Sequence, residues 1–236
     1  MDTFRIHRRQ ILVCGASFAA AVVMTSLRAQ EKEDEKEVEA AEDLMREHGV
    51  LRRILLCYSA AAARLHGSRA DDVPAKALAE GASLFRTFGE QYHERALEEK
   101  HVFPVVEGKK GGAARYAAIL KAQHDRGRQI TNYVTSVTKG GRIATAEQTP
   151  LADALDAFVL MYQHHTAIED TVVFPAWKDA LPDKQYKELS DQFEELEQKM
   201  FGRDGFEDAL KRVSRIEKEL GLSDLASFTA PPPPRY

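Results

Sequence analysis

The chain has 236 residues, 44% hydrophobic and 30% charged, with a net charge of −4. An acidic chain with no Lys/Arg-dense stripe is a poor fit to nucleic acid, and two cysteines, Cys14 and Cys57, exclude a disulfide framework or a thiolate cluster for zinc or iron–sulfur. Abundant Ala, Leu, Glu, Lys and Arg without runs of alternating β-branched residues read as all-α, and no Gly-rich phosphate loop, nucleophile elbow or Ser-His-Asp order is present.

Arg8-Arg9-Gln10-Ile11-Leu12 opens an apolar run to Leu27, closed by Arg28-Ala29 before the abruptly charged Glu31-Lys32-Glu33-Asp34-Glu35-Lys36. Residues 1–29 resemble a twin-arginine export signal cut after Ala29, which implies a periplasmic or secreted protein with no membrane association once the signal is removed. The alternative is an uncleaved anchor, for which about seventeen apolar residues sit at the lower edge of a bilayer span. Cys14 follows Leu12-Val13 rather than a small residue, a weak match to lipid attachment. The export segment carries four arginines against one acid, so the remainder is more acidic than the whole chain.

Residues 30–39 read as a charged linker into a first helix from about Val38 to His66. A break over 67–74 precedes a second helix opened by Pro74 and ending near Pro104, before the glycines at 108–112. A third helix is expected over Ala113 to Thr138. After a loop from Lys139 to Thr149, Pro150 opens a fourth helix that continues to about Pro175. Together 40–178 read as an antiparallel up-down four-helix bundle. Helical patterns at 183–199 and 205–220 form a short C-terminal extension, 179–221, followed by a Pro-rich tail, 222–236.

A thirteen-residue phrase recurs 71 residues apart. Tyr92 to Pro104 aligns with Gln163 to Pro175, and both copies share H-x4-E-x4-F-P with a second acid after the Glu. Helical periodicity puts His48 in a stripe with Leu44, Leu51 and Leu55. His124 falls with Leu120, Gly127, Thr131 and Val134, and His165 with Phe158, Tyr162, Glu169 and Val172; Phe85, Gly89 and His93 begin the matching face of helix two. Each helix therefore delivers a His to the interior, and two also deliver an acid. One such His is usually a hydrogen-bonded core residue. Four of them with buried acids point to metal ligation, because unpaired buried imidazoles and carboxylates cost several kcal/mol.

At about 100° per residue, His165 and Glu169 are about 40° from one face, while His93 and Glu98 are about 140° apart. One extra residue absorbed as a π-bulge would realign the second pair. Otherwise Glu94, one turn before Glu98, is the ligand. His164 matches His93 in the repeat and competes with His165, which has the better angle to Glu169. Glu99 and Asp170 read as solvent-facing or as acceptors for ligand N–H groups. His101 is a weaker ligand candidate, His66 a surface residue, and Cys57 an inert core thiol. Tyr58, Tyr92 and Tyr162 are candidate redox residues.

These residues resemble the hemerythrin-like, HHE cation-binding family: His on helix one, H…E with E-E-x-x-V-F-P on helix two, His on helix three, and H-x3-E-D followed by V-F-P on helix four. The resemblance covers about residues 40 to 178. It implies a non-haem centre of two iron ions bridged by Glu98 and Glu169, with His48, His93, His124 and His165 as terminal ligands. Manganese or zinc would also suit such donors. Oxygen-carrying members have a second His one turn along helix three; that position is Arg128 here, which argues against reversible oxygen carriage. A ferritin-like arrangement needs Glu-x-x-His on two helices, whereas both such motifs here, Glu90 to His93 and Glu98 to His101, lie on helix two. The functional expectation is an exported protein that binds or senses O2 or NO or sequesters iron. The alternatives are a redox enzyme acting on peroxide, NO or Fe(II) with an unidentified redox partner, and a helical interaction protein with a structural metal.

Overall fold

In a computed structural model, residues 38–109 and 111–234 are described; the expected export signal and nearly all of the charged linker lie outside the described residues. The described residues are helical, with no strand. Helix α1 (Ala40–His66) buries Leu44, His48, Leu51 and Leu55 on one face. Its first turn has no side-chain cap of its own. Ser190 Oγ and Tyr186 Oη, both from a later helix, accept from the Ala40 and Ala41 N–H groups at 3.0 and 2.9 Å, satisfying donors that a helix start leaves free.

The second helix follows Pro74 as expected, but only its start is α-helical. α2 (Ala75–Leu84) passes directly into π1, a π-helix over Phe85–Val102, and then into the short α3 (Phe103–Glu107). The fourth helix repeats the design. α5 (Thr145–Ile168) leads into π2 (Glu169–Val173) and α6 (Phe174–Asp179). Both helices continue slightly beyond their Phe-Pro pairs. The Phe103 N–H bonds the Glu98 carbonyl and the Phe174 N–H bonds the Glu169 carbonyl, each five residues back, immediately before a proline. Proline supplies no N–H and crowds the carbonyl four residues back, and the wider π turn accommodates both conditions.

The extra residue also shifts the inward stripe of the fourth helix, so that Val173 is buried where Val172 was expected. That helix starts earlier than expected as well, with Pro150 inside its first turns. Pro150 is exposed, so the carbonyl left without a partner there can reach water.

Between these helices, α4 (Ala114–Thr138) carries the Leu120, His124, Gly127, Thr131 and Val134 stripe inward, as its periodicity requires. α1 packs along α5, α2 along α4, α4 along α5, and π1 against both α1 and α4. Two further helices, α7 (Asp183–Phe201) and α8 (Gly205–Glu219), are separated by Gly202 in the left-handed conformation, and Asp204 caps the second through the Glu207 N–H. α7 lies on α1 and π1 and α8 on α1 and α2, held by Arg53 to Glu217 at 2.6 Å and by Trp177 stacked on Phe193. No helix among the described residues is long and apolar enough to cross a membrane.

Candidate metal centre

The four inward histidines meet two carboxylates in a fully buried cluster. His93 Nε2 lies 3.2 Å from Glu98 Oε1, and His124 Nε2 lies 3.4 Å from Glu98 Oε2. His165 Nε2 and His48 Nε2 lie 3.0 and 3.4 Å from Glu169 Oε2. Glu98, His124, His165 and Glu169 can each offer a ligand atom within 4.8 Å of the others, as can His48, His93 and Glu98. Glu98 thus belongs to both groups. The i+5 spacing of His93 and Glu98 is reconciled by π1, because a turn closed five residues back brings residues five apart onto one face.

Every imidazole is held from behind through Nδ1. Asp170 accepts from His48 at 2.6 Å, Glu47 from His93 at 2.5 Å, Glu99 from His124 at 3.0 Å, and Gln123 Oε1 from His165 at 2.9 Å. Such a bond fixes the proton on Nδ1 and turns the Nε2 lone pair inward, the tautomer a metal requires. Two arginines hold the acids in turn: Arg52 pairs with Asp170, and Arg128 donates to Glu99 at 3.1 Å. Phe174 stacks on His48 and Phe103 on His124, with ring centroids 5.4 and 5.5 Å apart.

These partners obey one rule. On helices one and three the residue before the His anchors another His (Glu47 for His93, Gln123 for His165), and the residue four after it is Arg52 or Arg128. On helices two and four the acid after the inward Glu anchors a His of another helix, and the Phe of Phe-Pro stacks on that same His. Glu47, Gln123, Arg52 and the stacking role of the two phenylalanines were not anticipated from the sequence. Their signal was legible as a repeated [E/Q]-H-x3-R, at Glu47-His48 to Arg52 and Gln123-His124 to Arg128.

Electrostatics follow the geometry. Burial acts to lower the His93 and His124 values, but Glu98 and Glu47 outweigh it at His93, and Glu94, Glu98 and Glu99 at His124, which is raised to about 10. Burial acts to raise Glu98 and Glu169, while His93 and His124 hold the first well below the usual carboxylate range and His165 and His48 lower the second. The donor set fits a cation. Both oxygens of Glu98, both of Glu169 and His93 Nε2 are buried without a hydrogen-bond partner. His124 Nε2 and His165 Nε2 stand 3.1 Å apart with both Nδ1 atoms committed outward. Two inward lone pairs at that separation repel unless a proton or a metal lies between them, and buried carboxylates without partners are costly.

The remaining site candidates lie elsewhere. His164 is exposed, and His165 alone of that pair enters the cluster. Glu94 is buried beside it, but Tyr162 Oη donates to one oxygen at 2.6 Å and Arg128 to the other at 2.9 Å. Glu94, Glu99 and His124 also come within 4.8 Å of one another, with the Arg128 guanidinium lying on both carboxylates. His101 packs on Phe193 outside these groups, and His66 faces Asp153 and Asp156 at the surface. Cys57 is buried, its thiol pushed up to about 12 by burial and Glu217, as befits an inert core residue.

A family model for the hemerythrin HHE cation-binding domain matches residues 39–177. The chain belongs to this family. That span holds all six inward His and Glu residues of the candidate centre and all four of their outer anchors. Proteins described as uncharacterized from Mycobacterium bovis and from two strains of Mycobacterium tuberculosis are each 38% identical to this hemerythrin-family chain over 239 residues, covering 95% of it and 91% of the relative. No solved structure matches it.

Proposed function

We propose that the chain is an exported non-haem di-iron protein that binds a small ligand such as O2, NO or peroxide, or sequesters iron. In this reading the helices form an antiparallel up-down bundle. Glu98, Glu169, His48, His93, His124 and His165 would hold the two ions, with the two carboxylates shared between them. The carrying observation is the convergence of four Nε2 atoms, each with its Nδ1 proton pinned outward, on two carboxylates whose four oxygens have no other partner. Iron is the metal the family suggests, and a mixed nitrogen and oxygen donor set also accepts manganese or zinc.

When bound, the ions supply Lewis-acid and one-electron chemistry. Six side chains around two ions would leave room for a small ligand. The chain's own part is to exclude water with Phe103 and Phe174, orient the imidazoles through their anchors, and offer two buried carboxylates to a cation. Export rests on Arg8-Arg9 and the apolar run after them, and suits a protein folded around its metals before translocation.

The deciding experiment is elemental analysis of the purified protein with optical spectra in air and after anaerobic reduction. About two iron per chain, with near-ultraviolet bands that change on reduction, is the expected result. No stoichiometric metal after anaerobic reconstitution with Fe(II) would overturn the assignment. Membrane-fractionation of the full chain tests export separately: recovery of a shortened chain in the periplasm or medium is expected, and an uncut cytoplasmic chain overturns that part.

A further inference from the structure

Three tyrosines are buried in the core, and they differ in where a hydroxyl proton could go. Tyr58 Oη and Tyr92 Oη make no hydrogen bond, although Glu47 lies close enough to Tyr92 to act on its hydroxyl. Tyr162 Oη donates to Glu94 Oε1 at 2.6 Å, and its ring lies 5.2 Å from that of His165. The arrangement is built rather than incidental. Glycine stands at 127 on α4, where a Cβ would overlap the Tyr162 hydroxyl, so that helix leaves the space the hydroxyl needs to reach Glu94. Arg128, one residue on, holds the other oxygen of Glu94 at 2.9 Å and the exposed Asp125 at 2.8 Å. The carboxylate is thereby held by Arg128 on one oxygen and aimed at the phenol with the other. Phe85 and Phe158 pack edge-on and tilted against the Tyr162 ring, with centroids 4.9 and 4.7 Å away, and shut it from water.

Resting on the di-iron reading above, we infer that Tyr162 is a redox-active side chain that gives one electron to the metal centre and its proton to Glu94 during peroxide reduction. The balance closes with peroxide as the named oxidant. The O–O bond breaks and two hydroxide ions form; one of the two electrons comes from a metal ion, whose charge rises by one, and the other from Tyr162. The phenol proton crosses the 2.6 Å bond to Glu94, leaving a neutral phenoxyl radical and a protonated carboxyl group. Because the Tyr162 hydroxyl already donates to Glu94, the proton has its acceptor in place when the electron leaves. The ring sits against His165, which provides a short path for the electron.

The test mixes Fe(II)-loaded full-length protein with hydrogen peroxide, freezes it at millisecond intervals, and reads the paramagnetic resonance spectrum alongside the iron content of the same samples. A radical with tyrosine ring-proton splitting is expected in the unaltered protein and in Tyr58→Phe and Tyr92→Phe, and its loss is expected in Tyr162→Phe. Glu94→Gln, which keeps a hydrogen-bond acceptor but not a proton acceptor, should also lose it while retaining iron, and so decides the matter if Tyr162→Phe fails to load. An undiminished radical in Tyr162→Phe, or no radical in unaltered protein that holds iron and consumes peroxide, overturns the inference. Absence of bound iron in the unaltered protein overturns the di-iron reading itself and removes this inference with it.

Discussion

The two copies of the repeated phrase align residue for residue in sequence but not in space. His93 and His164 occupy the same place in the alignment, yet His93 is buried in the centre and His164 is exposed. Glu94 and His165 also align, yet Glu94 is clamped by Tyr162 and Arg128 while His165 Nε2 faces Glu169. From the bridging acid onward the copies behave alike: Glu98 and Glu169 face the histidines, Glu99 and Asp170 anchor them, and Phe103 and Phe174 stack on them. The difference lies in helix pitch. π1 already runs through His93, so a residue five before the acid shares its face, whereas π2 begins only at Glu169, and there the residue four before does so. A sequence repeat fixes chemistry at each position, and helical pitch then selects which positions face inward.

The largest expected effect tests the part the copies share. Glu98→Ala and Glu169→Ala should each abolish stoichiometric metal binding, measured as metal per chain after reconstitution. A variant that loads fully would break the equivalence of the two acids.

Next comes the part that differs. Gly127→Ala puts a methyl group against the Tyr162 hydroxyl and should destabilise the protein by about 1–3 kcal/mol, read as a lower midpoint in chemical denaturation. An unchanged midpoint would show that the clamp around Glu94 is loose.

The two arginines sharpen the comparison. Removing an outer anchor typically costs about 10–100-fold in metal affinity, so Arg52→Met and Arg128→Met should both weaken binding in a competitive chelator titration. Arg128→Met should cost more, because Arg128 alone also balances the buried Glu94. Equal losses would remove that distinction.

A smaller effect concerns pH in the metal-free protein. His124 is raised from 6.5 to about 10, so its contribution to stability is present below pH 6.5 and lost as pH rises toward 10. Glu169 and Glu99 are lowered from 4.5, so theirs is present above that value and lost as pH falls. Thermal midpoints should therefore fall on both sides of an interval from 4.5 to 6.5. Metal loading should remove the alkaline decline, because the ligand nitrogens bind the ion in place of protons. A decline of equal slope in the loaded protein would count against ligation by His124. The smallest effect belongs to His164→Ala, which should leave metal content unchanged, as should His66→Ala; a loss in either would mean that the wrong histidines have been placed in the centre.

Much of this was legible in the chain itself. The stripes through His48, His124 and His165 mark buried faces because apolar residues recur at helical spacing around them, and those faces are the ones found buried. The mismatch between His93 and Glu98 already called for one extra residue in the turn, and the structure supplies it across eighteen residues of π-helix. The outer anchors were less legible because each joins residues far apart in sequence: Glu47 reaches His93, Asp170 reaches His48, and Gln123 reaches His165. Nothing local to Glu47 says which imidazole it will meet.

The sequence by itself determined that helices would form, which faces would be buried, and that four imidazoles and paired acids would be carried inward, because periodicity and residue chemistry are local properties. Only the tertiary structure buried His165 while leaving His164 exposed, set Tyr162 and Arg128 on Glu94, and joined each histidine to its anchor. Those outcomes depend on the pitch of π1 and π2 and on contacts between helices, such as the space left by Gly127 for Tyr162, that exist only once the helices are packed.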